Sequence, residues 1–406
     1  MRIDAGNSRY IKKLNRLNVL GLIRRSRVIS RAAIAKESRL TATTVAEITK
    51  TLLEQELILE DGASESTGGR PSVNLVINPN ARYAVGCDFE SDNVTTTILN
   101  FLGEQVALMR KRYELSEAQD ILEAIASSIN EIIASCDIPK EKILGVGISI
   151  PGLVDLVEGN IYFLTHYSME NIELRTFIEE RTGLETWVVN DANSAALAEC
   201  ATGFGKEYDN FVSVISRQGV GAGIIINGKL FQGALGVAGE IGHLTVELNG
   251  PRCNCGNYGC LEVMAGTKAI EKRTRVRLKQ NGGSSYFKEN EDYDKVTLPE
   301  IIKAAEQGDS LVLEVLQHVG NYLGMGIATV INFFNPQAIV LAGDVESYFP
   351  YIEDAVQKAI EARAMKVPGK FCKLLLSRFG DDITAIGAGE LVLTGYFEGR
   401  WKERKL

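Results

Sequence analysis

Three cysteines fall within the segment Cys253-Asn254-Cys255-Gly256-Asn257-Tyr258-Gly259-Cys260, and His243 stands ten positions before the first of them. Three thiolates and one imidazole can complete a tetrahedral Cys3His zinc site. Gly256 and Gly259 permit the tight backbone curvature that brings closely spaced cysteines to one ion. The chain has 7 cysteines and only 3 histidines in 406 residues, so a histidine this near the cluster stands out. An odd cysteine count with three crowded together points to a metal before disulfides. Four protein ligands leave no position for a catalytic water, so the expected cofactor is a structural Zn2+. Three reduced core cysteines are the plain alternative.

A second constellation is Asn190-Asp191-Ala192-Asn193 at the end of a strand, with Glu240, His243 and Glu262 flanking the cysteine loop. Carboxylates, an amide and an imidazole suit a polyhydroxylated ligand, because each hydroxyl both donates and accepts. An ionised Asp191 can accept a hydrogen bond from a sugar hydroxyl or remove its proton. The run Ser216-Arg217-Gln218-Gly219-Val220-Gly221-Ala222-Gly223 has glycines enough to cradle phosphate. Arg217 and Gln218 stand where an open approach would begin, and a plain hairpin is the simpler reading.

These residues lie in an α/β body. From about residue 82, strands at 83–88, 94–99 and 105–108 precede an amphipathic helix over 117–136 and a strand over 143–150. A second round begins near Trp187, with strands at 211–216 and 222–226. A helix over 310–334, a strand at 338–342 and a final helix near 385–397 close the chain. Two such rounds predict two lobes with a ligand cleft between them. The expected domains are 1–80, a separate head with its linker; 81–195, the first lobe; and 196–406, the second lobe with the cysteine loop and oligomerisation helices.

Charge separates head from body. The net charge is −8, yet residues 1–80 carry 13 Lys and Arg against 8 Asp and Glu, leaving −13 for the remainder. A basic head on an acidic body approaches a polyanion head first. Within it, residues 8–26 carry Ile11, Leu14, Leu17, Leu20 and Ile23 at every third position, predicting a helix with that stripe inward. Ser30 and Thr41 are N-caps for two further helices joined through Arg39-Leu40, a helix-turn-helix. On the second of these, Val45, Ile48 and Leu52 face inward and Thr43, Thr44, Glu47 and Lys50 outward, which makes Thr43, Thr44 and Lys50 candidate DNA contacts. The strands 57–59 and 73–77 form a wing, and Gly68-Gly69-Arg70-Pro71 at its tip is slim enough to lay Arg70 in a narrow minor groove. An ordinary linker is the alternative for that segment. No apolar run is long enough to span a bilayer and Met1-Arg2-Ile3-Asp4 opens no signal peptide, so a cytoplasmic protein without membrane contact is expected.

Over residues 80–395 the ordered set Asn190-Asp191-Ala192-Asn193, Glu240-Ile241-Gly242-His243, Cys253–Cys260 and Leu261-Glu262 resembles the ROK family of repressors and sugar kinases. The winged head and Gly68-Gly69-Arg70-Pro71 resemble its repressor branch, the glucose- and N-acetylglucosamine-responsive regulators and the xylose repressors. The resemblance implies a winged helix-turn-helix domain on a two-lobed actin/hexokinase-like body. It implies zinc on His243, Cys253, Cys255 and Cys260, and sugar contacts from Asn190, Asp191, Glu240, His243 and Glu262. Asp191 matches the kinases' catalytic base. Kinase members carry an Asp-x-Gly-Gly-Thr-type phosphate loop, whereas this chain has Asp88-Phe89-Glu90-Ser91-Asp92; Arg217-Gln218-Gly219 and Ala342-Gly343-Asp344 depart likewise. A kept sugar pocket beside lost phosphate loops makes a sensor rather than an enzyme, with no catalytic residue unless Asp191 serves a kinase. The implied partners are operator DNA, a sugar or sugar-phosphate effector and a second copy in a homodimer or homotetramer; the resemblance also allows a sugar-transport-system protein. An active kinase with a DNA-binding head is the competing reading.

Overall fold

The computed structural model describes residues 8–63, 73–114, 118–155, 158–164, 169–288 and 292–399. Arg70 and the rest of Gly68-Gly69-Arg70-Pro71 lie outside them.

The chain begins with α1 (Ser8–Ser26), β1 (Ile29–Ser30), α2 (Arg31–Ser38) and α3 (Ala42–Glu54), then the hairpin strands β2 (Ile58–Ala63) and β3 (Val73–Ile77). Local chemistry sets these boundaries. The Ser30 hydroxyl accepts from the Ala33 N–H at 3.3 Å and starts α2, and Arg39 ends it in the left-handed region at φ 58°. Thr41 accepts from the Thr44 N–H at 3.2 Å and starts α3, which buries Val45, Thr49 and Leu52. The strands order as β1-β3-β2. One expectation fails in α1: Ile11 and Leu14 are exposed, while Val19, Leu20, Leu22 and Ile23 are buried. A three-residue spacing falls short of the 3.6-residue turn, so the stripe winds around the helix and only its C-terminal part faces the core.

The next sheet, ordered β11-β7-β4-β5-β6, is built from β4 (Tyr83–Glu90), β5 (Asn93–Asn100), β6 (Gln105–Arg112), β7 (Ile143–Ile150) and, added later in the chain, β11 (Thr186–Asn190). Helix α4 (Ala118–Ser135) lies between β6 and β7 in sequence. A small sheet of β8 (Leu153–Val154), β9 (Ile161–Leu164) and β10 (Met169–Ile172) and helix α5 (Leu174–Thr182) lead to β11, which runs directly into α6 (Asp191–Ala201).

The last sheet, ordered β14-β13-β12-β15-β16, uses β12 (Phe211–Ser216), β13 (Val220–Ile226), β14 (Lys229–Leu230), β15 (Ala338–Gly343) and β16 (Lys373–Leu376). Helices α7 (Leu261–Ala265), α8 (Thr267–Asn281), α9 (Leu298–Glu306), α10 (Ser310–Phe334), α11 (Val345–Arg363) and α12 (Lys366–Phe371) fill the connections, and α13 (Ile383–Phe397) closes the described chain. A large apolar cluster joins β12, β13 and β15 to α8–α11. Gly320 and Gly324 of α10 meet Ile352, Val356 and Ala359 of α11 so closely that a Cβ there would collide.

Contacts divide the chain into two compact units, 1–149 with 173–188 and 388–406, and 150–172 with 189–387. The cuts differ from the contiguous domains 1–80, 81–195 and 196–406. The head falls in one unit with most of the first sheet and the end of α13, and the small sheet β8–β10 belongs with the second unit. Sequence order cannot show a C-terminal helix returning to the N-terminal unit. Among the described residues, no helix is long and apolar enough to cross a membrane.

Candidate functional site

The second unit gathers its polar chemistry around β13. That strand alternates Val220-Gly221-Ala222-Gly223, and a Cβ on Gly221 or Gly223 would strike Ala192, Asn193 or Ala196 of α6. The bare face thus lets the first turn of α6 lie directly on the strand. On the other edge of β13 the Glu240–His243 turn is seated equally closely: Ala222 N–H donates to the Gly239 carbonyl at 3.1 Å, and Gly239 adopts φ +97° against the Ala222 carbonyl. Gly219 lies against the Glu262 carboxylate, where any side chain would displace it. The glycines that could have cradled a phosphate instead seat the elements carrying Asn190, Asp191, Glu240 and Glu262.

Asn190 is the N-cap of α6. Its carbonyl oxygen accepts from the Ala192 and Asn193 N–H groups at 2.9 and 3.4 Å, and its amide donates to the Gly152 carbonyl at 3.0 Å. Capping fixes the side chain in one orientation. Asp191 is the first residue of the helix, where one carboxylate oxygen accepts from the Ala192 N–H at 2.9 Å.

The cysteine loop is laced to the histidine turn by backbone. Leu261 N–H donates to the Leu244 carbonyl and Val246 N–H to the Gly259 carbonyl, both at 2.8 Å, while Thr245 and Cys260 form a β-bridge. Gly256 and Gly259 take φ +93° and +61°, the left-handed curvature expected of them. As a result one donor atom each from His243, Cys253, Cys255 and Cys260 lies within 4.8 Å of all the others. His243 Nδ1 is 3.7 Å from Cys253 Sγ, and Cys255 Sγ is 3.7 Å from Cys260 Sγ. Tetrahedral zinc places N and S ligands about 3.3–3.8 Å apart, so the donor set fits a metal. Burial, then the neighbouring thiols, push Cys260 up to about 12, and burial raises Cys253 as well. A bound cation removes that penalty by holding the thiolates.

His243 joins the cluster to the carboxylates. With Nδ1 toward Cys253, its Nε2 lies 3.8 Å from Glu240 Oε2, and Glu262 Oε1 lies 3.9 Å from Cys253 Sγ. Partial burial raises both Glu240 and Glu262 above the usual carboxylate range, while the imidazole opposes the rise. Glu240, His243 and Glu262 are therefore brought together; Asn190 and Asp191 stand on the element seated against the neighbouring stretch of β13.

The segments aligned with kinase phosphate loops have different geometry in each unit. In the first unit, β4 stays paired through Glu90 opposite Asn93, leaving a tight turn at Ser91-Asp92 with Phe89 fully buried. The turn carries the Ser91 hydroxyl and the Asp92 carboxylate. In the second unit, Arg217 is 8% exposed and its guanidinium donates to the Asp381 carbonyl and the Thr384 hydroxyl, both at 3.1 Å. Asp344 accepts from the Thr267 hydroxyl at 2.6 Å, and Glu346 accepts from the Gly343 N–H at 3.2 Å. Burial raises both carboxyls. The sequence marks Arg217 as bulky; that it folds inward and binds α13 depends on tertiary packing. Glu346 was missed, since nothing local distinguishes it from any surface helix carboxylate.

On α3, Thr43 and Lys50 are exposed, and Lys50 pairs with Glu54 at 3.9 Å. Thr44 is partly covered, and its hydroxyl is 2.9 Å from that of Thr41.

Residues 85–394 match the family model described as the ROK family. The chain is 36% identical over 396 residues to the DNA-binding transcriptional dual regulator NagC of Escherichia coli K12, covering 97% of this chain and 96% of NagC. A crystal structure of a ROK family transcriptional regulator, a homolog of the E. coli MLC protein, superposes with TM-score 0.84 at 30% identity, covering 97% of this chain and 99% of that one. A ROK family glucokinase from Streptomyces griseus, solved with glucose and AMPPNP, matches at TM-score 0.66 and 25% identity, covering 76% of this chain and 98% of the glucokinase.

Proposed function

The chain belongs to the ROK family, and on that premise we propose that it is a cytoplasmic, sugar-responsive transcriptional repressor of carbohydrate uptake or catabolism genes. The observation that carries this reading is the joint presence, on one chain, of a helix-turn-helix head and, within the second unit, a polar site beside a glycine run whose Arg217 folds inward onto Thr384. Full-length similarity to NagC supports it, because the match includes the head. The glucokinase, in contrast, covers 76% of this chain, a share that fits the body alone.

Asn190, Asp191, Glu240, His243 and Glu262 hold the effector, a sugar or sugar phosphate. His243, Cys253, Cys255 and Cys260 hold one structural Zn2+. A metal held through His243 Nδ1 would leave Nε2 on the Glu240 side and would fix the ring together with the turn that leads into α7, the helix carrying Glu262. Residues 1–80 act as the DNA-binding head, and two copies in a symmetric dimer read two half-sites of a pseudo-palindromic operator. The response requires that the effector bind the DNA-competent and DNA-incompetent states with different affinity.

The kinase reading keeps one supporting observation, the placement of Asp191 at the helix N-terminus with the family's base motif intact. A coupled assay with ATP across hexoses, N-acetylhexosamines and pentoses separates the two. Turnover indistinguishable from the protein-free control is expected. Robust phosphorylation that disappears in Asp191→Asn would establish the kinase instead.

For the head, Thr43→Ala is expected to alter the preferred major-groove base, with a loss of roughly 1–3 kcal/mol at that position. Lys50→Ala should weaken all sequences alike and lower the salt slope by about one charge. Arg70→Ala should act chiefly at A·T-rich flanks. Selection from random DNA, followed by titrations at two salt concentrations, reads all three; unchanged preference in Thr43→Ala removes that residue from the interface.

A further inference from the structure

Helix α1 of the head is tied to the C-terminal helix by a bond unlike the rest of their contact. Both Oε atoms of Glu390 accept from Arg24 Nη2, at 2.9 and 2.8 Å, and the two side chains are 14% and 0% exposed. The same guanidinium lies over the Phe397 ring, 4.8 Å from its centroid, and Phe397 stacks on the buried Phe101 at 4.8 Å. Gly103, at φ +85°, sits where a Cβ would collide with the Glu390 carboxylate. Carboxylate, guanidinium and ring thus occupy a fitted socket.

Around this point α1 is not sealed against the rest of its unit. Toward its N-terminal end lies a cavity of about 680 Å³, lined by Lys12, Lys13, Arg16, Leu17, Arg82 and Tyr396 among others. The nearest further tie is a 3.3 Å hydrogen bond from Lys13 Nζ to the Gly399 carbonyl. This part of the seam is therefore open, with Lys12, Lys13, Arg16 and Arg82 facing Glu141 and apolar side chains, and among the described residues Arg24–Glu390 is the ion pair that fastens α1 here. An ion pair removed from water is a poor source of net stability compared with apolar packing of equal volume, and its best-attested use is to fix register.

We propose that Arg24 and Glu390 are positioning residues: their ion pair fixes the angle at which the DNA-binding head is carried and so sets the half-site separation an operator must have. This rests on the DNA-binding reading above. Neither residue touches DNA in this account; both act through the orientation of α1, against which α2 and α3 pack.

The test compares the parent with Arg24→Met/Glu390→Met, which fills the socket with apolar side chains of similar volume, and with Glu390→Gln, which keeps the shape and removes the charge. The full-length proteins are offered a library in which the parent's selected half-site is repeated at a range of separations. The parent should enrich a narrow set, losing about tenfold in affinity per added or removed base pair, since whole turns separate recognition helices on one face. The double variant should bind neighbouring separations within about threefold of one another while its affinity for an isolated half-site stays unchanged. Glu390→Gln should fall between. Thermal melts confirm that each variant is folded; if the double variant fails to fold, Glu390→Gln alone decides. Retention of the parent's narrow preference in every folded variant overturns the proposal. Failure of the parent to enrich any sequence is a different result: it removes the DNA-binding reading itself.

Discussion

Cys260→Ser is expected to release the metal and to abolish the sugar response without touching a sugar-contacting residue. Cys260 is buried between the histidine turn and α7, and its backbone bridges to Thr245. Metal loss leaves Cys253 and Cys255 without a cation and frees the loop that leads into α7, whose first turn carries Glu262. Binding of structural zinc to small peptide sites is worth about 10–16 kcal/mol near neutral pH, which bounds the loss from above. Each lost kcal/mol lowers the midpoint of a unit of this size by roughly 2–4 °C, so a fall well beyond ten degrees is consistent with the account. Elemental analysis of protein purified without chelator should find one zinc per chain in the parent and almost none in the variant. A zinc-free parent with an intact sugar response would contradict the assignment.

Glu240→Ala should separate the effector site from the metal. Glu240 is close to His243 Nε2, on the side of the ring facing away from Cys253, so its removal leaves all four candidate ligands in place. Hydrogen bonds to a charged group contribute about 1.5–3 kcal/mol, and sugar affinity is expected to fall about ten- to a hundredfold. Thermal-shift screening of a sugar panel identifies the ligand, because a molecule that binds only the folded protein raises its midpoint. Calorimetric titration of that sugar then gives the loss, with zinc content unchanged. Equal affinity in parent and variant would remove Glu240 from the pocket.

Much of this arrangement is legible from residue types alone. Caps such as Ser30 and Thr41 act on their own next turn, and the continuous apolar runs of β4 and β12 mark buried strands from their own residues. The cysteine cluster is local too, with its glycines falling at the positive φ values their spacing requires. What stays hidden depends on surfaces brought together by folding. The Gly221/Gly223 run reads as a phosphate cradle or a plain hairpin until α6 is seen lying on its bare face. The inward turn of Arg217 and the socket of Glu390 are decided by partners far away in the chain.

The central claim is that a sugar bound in the body controls DNA binding by the head. The most direct measurement titrates the full-length, zinc-loaded protein against an operator selected from random DNA, with and without each sugar of the panel. The account predicts tight, salt-dependent binding to paired half-sites, and a marked loss of affinity with the one sugar that also raises the thermal midpoint. If that sugar binds and leaves the operator affinity unchanged, or if no DNA sequence is selected at all, the account is contradicted.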